Sequence, residues 1–210
     1  MPWVGVAAAA LVVWQIGLVA ADPATFEHGE ELYNATVARE LRLGHVAHLL
    51  DYQYTPFCGG CTVVSVLGAL AFAVGGVKYL AWKAVPALLS GLLMVLGFAV
   101  ADRTTNRAAA WAFVLLLLGM PAFFARSFLM AWGNHYEVTL LVLAQTLAVV
   151  SLLDADRVTG QLPRRWFVWG LLAGGGFWFC FSSAYAAPAL AVAVLAAMGV
   201  RGCLAGLAPF

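Results

Sequence analysis

Apolar runs of about 17 to 25 residues are long enough to cross a bilayer core. They recur along this chain and predict helices near 3–21, 61–77, 84–101, 108–126, 138–153, 166–184 and 186–200. The last two are separated only by Tyr185 to Pro188, so one of them is expected to be tilted, re-entrant or incomplete, and the pattern gives six or seven spanning segments. No Lys or Arg precedes the first run, unlike the positive start of a secretory leader, so it reads as a retained helix. The chain stops at "RGCLAGLAPF", a few residues into another apolar segment and without a cap or polar tail. It is therefore expected to be the N-terminal part of a longer protein.

Between the first two runs lies a polar island, residues 22 to 60. Six of the ten acids fall between Asp22 and Asp51, together with three of the four histidines. Within it, "EELYNATVARELRLGHVAHLL" interleaves Leu32, Val37, Leu41, Leu43, Val46 and Leu49 with charges, the pattern of a helix lying along a membrane interface. The expected fold is therefore all-α and integral to a membrane. It is a polytopic bundle of six to seven transmembrane helices forming one domain over 1–210, with an amphipathic interfacial helix in the external loop 22–60. Composition agrees: 64% of residues are hydrophobic and 10% charged, outside the range of soluble domains. A formal net charge of +1 gives no basic field for nucleic acid.

Glu27, Glu30 and Glu31 stand at i, i+3 and i+4. A helix beginning that early would put three carboxylates on one face. Like charges so close raise at least one pKa towards neutrality, as a general base requires. The structural alternative is that acids at a helix N-terminus oppose its dipole favourably, and spacing does not choose between the two. In "DYQYTPFCGGCTVV", Pro56 and Gly59-Gly60 suit a turn, with Tyr52, Tyr54 and Phe57 as an aromatic belt. Cys58 and Cys61 form a C-x-x-C that would fit a membrane disulfide oxidoreductase. Cys180 and Cys203 do not supply the second pair such relays generally need. A metal site from these cysteines with His45 and His48 is not fixed by any spacing.

A second polar cluster, Arg126, Asn134, His135 and Glu137, falls between two apolar runs. Asn134 reads as an N-cap. Arg126 is costly in lipid unless it snorkels or meets an anion, for which a phosphate or Glu137 would serve. The plain alternative is a polar connection. Basic loops at 102–107 and 154–165 are assigned to the cytoplasm by the positive-inside rule, and Glu137 to the opposite side. Three full crossings would then separate Glu137 from the first loop. Either one run between 61 and 126 does not cross, with the pair 61–77 and 84–101 the place to look, or the clusters do not share a site.

One helix, an acidic external loop with "GEELYNATVARELRLG", then "DYQYTPF" at the next helix resembles the opening of membrane glycosyltransferases of the GT-C fold. The nearest pattern is that of protein-mannosyltransferase-like and aminoarabinose-transferase-like (glycosyltransferase family 39-like) enzymes. The resemblance rests on Glu30 or Glu31, Tyr33, Ala38 to Leu41, Gly44 and Tyr54 to Pro56, with the later "GNHYE"; Gly29-Glu30 replaces the family's Asp-Glu pair in one register. It implies inverting transfer of a sugar from a polyprenyl-phosphate donor to a lipid, glycan or protein acceptor on the extracytoplasmic face of a bacterial inner membrane. Glu30 would be the base, with Glu31 and Glu27 next, and Tyr33, Tyr54, Arg126, Asn134, His135 and Glu137 would bind substrate. No cofactor or metal is indicated. The competing expectations are a transporter, flippase or assembly protein with the same helices and no chemistry, and the C-x-x-C oxidoreductase.

Overall fold

The computed structural model describes residues 2–26, 28–45, 49, 59–154 and 162–206. Their regular elements are all helices, in the order α1 Pro2–Ala21, α2 Gly29–Leu43, α3 Gly59–Gly75, α4 Tyr79–Thr104, α5 Arg107–Leu118, α6 Ala122–Phe128, α7 Tyr136–Asp154, α8 Leu162–Phe179 and α9 Ala186–Gly206. Single 3₁₀ turns precede α2 at Pro23–Phe26 and α9 at Phe181–Tyr185. Among the described residues four segments are long and apolar enough to cross a membrane: α1, α4, α7 and Phe181–Val200. Joining α5 to α6 makes five. Val13, Val74, Leu116 and Phe123 are all more than 70% exposed. Apolar surface on this scale suits lipid contact and not water.

α1 turns a stripe of Val4, Ala8, Leu11, Gln15 and Val19 inward, one residue per turn as a 3.6-residue repeat dictates. It runs antiparallel to α4: Val19 packs by Ala87, whereas Leu11 and Val4 share a core with Met94 and Phe98. Val12 and Ala8 crowd against Gly91, and Ser90 donates to Gln15 Oε1 at 2.5 Å. Small residues and an interhelical polar bond are the usual means of holding helices together in lipid, where apolar burial alone gives no preference. At one end of the bundle α1 and α4 meet α5 through Ala110 and Val114. α7, α8 and α9 pack together through Leu152, Trp169 and Val194.

The run expected at 108–126 is broken. α5 stops at Leu118, and α6 starts beyond Pro121 at an angle of 91°. Pro121 has no N–H to continue the ladder and disfavours helix in the residue before it. The run at 61–77 becomes α3, only 17 residues long. Gly60 at its start packs on Gly133, and Gly75 at its end packs on Ala81 in the first turn of α4. Tyr136, beside Gly133, reaches Pro86 of α4. Among the described residues α3 is shorter than the segments long enough to cross a membrane, and it packs on the first turns of α4 through Phe72 and Val64 against Trp82 and Val85.

α2 is the helix expected in the polar island, and of Leu32, Val37, Leu41 and Leu43 on it Val37 is the one buried. Leu32 and Leu43 are exposed, and the helix turns Glu31, Asn34, Val37 and Ala38 inward. It ends at Gly44 in the left-handed region (φ 74°), with its own N–H and that of His45 returned to Leu41 and Glu40, the usual glycine C-cap.

Candidate functional site

The two polar clusters meet. Glu31 and Lys83 of α4 are fully buried and form an ion pair with Nζ 2.5 Å from Oε1. Each also grips the segment between α6 and α7. Ala131 N–H donates to Glu31 Oε2 at 3.1 Å, and Lys83 Nζ donates to the Leu129 carbonyl at 2.9 Å. One turn along α2, the Asn34 amide donates to the carbonyls of Ala131 and Trp132 at 3.0 and 3.2 Å. Ser65 of α3 donates to the Asn34 carbonyl. Residues 129–132 are thus held by side chains of α2 and α4, which compensate for backbone groups that no regular ladder satisfies.

Gly133 follows with φ 83°. A Cβ there would lie 2.6 Å from the Cys61 nitrogen, so both its conformation and its contact require glycine. Glu137, buried in the first turn of α7, reaches back to accept from Gly133 N–H at 2.9 Å and His135 N–H at 3.3 Å. This caps the helix, and it corrects the expectation for Asn134. The Asn134 Oδ1 is buried with no hydrogen-bond partner among the described residues, and α7 begins only at Tyr136, two residues beyond it.

Glu30 is exposed, about 100° around α2 from Glu31. His28 caps α2 by accepting from Glu30 N–H at 3.3 Å. The rings of His28 and Trp132 lie 5.4 Å apart, and Trp132 and His135 stack edge-to-face at 4.1 Å. Glu30 is close enough to raise the pKa of His135. Partial burial lowers it more, His28 adds to the lowering, and the net direction is below 6.5. One exposed carboxylate, two histidines and a tryptophan therefore share the surface at this end.

The remaining predicted residues divide as follows. Tyr33 is half exposed on α2. Arg126 is exposed on α6, and among the described residues it has no carboxylate within ion-pair distance; of the two anions considered for it, Glu137 is committed to backbone. Glu27, Tyr54, Cys58 and His48 lie outside the described residues. Cys61 is disulfide-bonded, and Cys180 and Cys203 are free. His45 pairs with Glu40, and among the described residues no group of His, Cys, Asp or Glu is arranged to hold a metal. Sequence reasoning missed Lys83 and Asn34. A lysine three residues before Pro86, in an otherwise apolar run, was the available signal, since an intramembrane cation demands a partner. No protein-family model, curated protein or solved structure matches the chain.

Proposed function

We propose that the chain is the membrane domain of a glycosyltransferase. It transfers a sugar from a polyprenyl-phosphate donor to a lipid, glycan or protein acceptor at the end of the bundle that carries Glu30. The observation that carries this is the separation of tasks between adjacent carboxylates: Glu31 is locked to Lys83 and Ala131, whereas Glu30 stands exposed beside His28, Trp132 and His135. The Glu30 carboxylate takes the proton of the acceptor hydroxyl, the hydroxyl oxygen attacks the anomeric carbon, and the lipid phosphate departs with inversion. Partial burial lowers the His135 pKa, which favours the neutral ring, and it serves as a hydrogen-bond donor. Arg126 supplies the permanent charge opposite the leaving phosphate.

In this reading α1, α4, the bent α5–α6 pair, α7, α8 and α9 make six crossings, and α2 and α3 stay on the active face. Arg103, Arg107, Arg164 and Arg165 mark the opposite, cytoplasmic end. The disulfide at Cys61 suits an oxidising, extracytoplasmic location for Glu30. The buried ionisable residues Glu31, Lys83 and Glu137 are each tied to a partner, which favours a built site over a conduction path. The test is transfer of radiolabelled sugar from a panel of polyprenyl-phosphate sugars, in membranes carrying the full-length gene product. Transfer that collapses in Glu30→Gln while expression holds supports the base. Transfer that survives removes Glu30 from that role, and no transfer from any donor favours a transporter or flippase.

A further inference from the structure

At the end remote from Glu30 a cavity of about 760 Å³ opens between α4, α7 and α8. Its polar lining is Arg103, Arg164, Arg165, Ser151 and Asp154. Two of the arginines are bonded to α7: the exposed Arg103 donates to the Ser151 hydroxyl at 3.2 Å, and the part-buried Arg165 donates to the Ser151 carbonyl. Arg107, at the same end, behaves differently. It is neutralised by Asp102 at 2.7 Å and lies over the Phe98 ring. Among the described residues Arg103 and Arg164 have no carboxylate within ion-pair distance, nor has Asp154 a cation. Among the described residues of the lining, Arg103 and Arg164 are the cations left for a ligand. Leu147 and Val168 form an apolar wall beside them.

Two helices contributing arginines to one cavity, with a third helix holding them, is the arrangement of an anion site, and the adjoining apolar wall suits an acyl chain. We propose that this cavity binds the phosphodiester headgroup of an anionic phospholipid, with its first acyl carbons against Leu147 and Val168. The site is independent of the sugar-transfer reading.

The test uses the full chain in detergent, titrated with phosphatidylglycerol or phosphatidylcholine, with retained lipid counted by native mass spectrometry. Wild type is expected to prefer phosphatidylglycerol. Arg103→Gln with Arg164→Gln should cut that preference about 25-fold, about fivefold per arginine, as about 1 kcal/mol for each basic residue near a lipid surface implies. Arg107→Gln should leave it unchanged. Asp154→Asn, which removes the opposing charge without touching an arginine contact, should raise it and serves if the double variant misfolds. Equal retention of both lipids by wild type, or an unchanged preference in the double variant and in Asp154→Asn, overturns the proposal. Displacement of phosphatidylglycerol by millimolar inorganic phosphate, but not by chloride at equal ionic strength, overturns it in favour of a free-phosphate site; resistance to phosphate supports the lipid.

Discussion

Lys83→Met should unfold the junction between α2, α4 and the segment before α7. The substitution keeps chain length and apolar volume, so its effect comes from the lost ammonium. Glu31 would remain fully buried with only the Ala131 N–H to stabilise it, and the Leu129 carbonyl would lose its donor. Removing one member of a buried pair costs about 3–5 kcal/mol, most of it the penalty of the stranded charge. Glu31→Leu strands the ammonium and is expected to cost a similar amount. The double variant strands neither charge. It orphans Ala131 N–H and Leu129 C=O, at about 1–3 kcal/mol each, and should be more stable than the sum of the single losses by about 3 kcal/mol. Unfolding by a denaturing detergent in mixed micelles, followed by tryptophan fluorescence, measures all three. Single losses below about 1 kcal/mol, or strict additivity in the double variant, would refute the clamp.

His135 should titrate below 6.5 by histidine NMR, and Glu30→Gln should lower its pKa further, because it removes the carboxylate that raises it; an upward shift would place Glu30 elsewhere. Gly133→Ala should reduce folded yield sharply, since the new Cβ meets the backbone of Cys61 at 2.6 Å in a left-handed conformation; wild-type yield and stability would count against this turn. Glu137→Leu should cost about 3 kcal/mol, as one buried and one part-buried bond to the carboxyl are lost and the turn loses its cap. Glu137→Gln, which keeps one acceptor oxygen, should cost less, and equal losses would show that the reach-back bonds contribute nothing.

Helices α1, α4 and α7 were legible because each is a long apolar run, and the bilayer length requirement selects them directly. Their packing was not legible, and α3 shows why: 61–77 is apolar enough to pass for a span, yet its path is set by Gly60 on Gly133 and Gly75 on Ala81, contacts that hydropathy does not record. The inner face of α2 was not legible either. In a membrane protein an apolar side chain can face lipid, so polar Glu31 and Asn34 belong inside where they have partners, and Leu32 and Leu43 belong outside. The acids were visible in the sequence. Their division between holding and exposed roles depended on Lys83, 52 residues away from Glu31.

That division gives the sharpest distinction between the two neighbouring glutamates. A loss of transfer in Glu31→Gln alone says nothing about chemistry, because the same change loosens the segment that presents Trp132 and His135. Pairing Glu31→Leu with Lys83→Met removes both charges together and restores much of the fold without restoring a carboxylate at position 31. If Glu30 is the base, this double variant should recover transfer per folded molecule relative to either single variant, while Glu30→Gln stays folded and inactive. Should the stable double variant remain as inactive as Glu30→Gln, the carboxylate of Glu31 would itself be needed by the reaction. Its burial against Lys83 would then describe a resting arrangement, one that must open before substrate reacts.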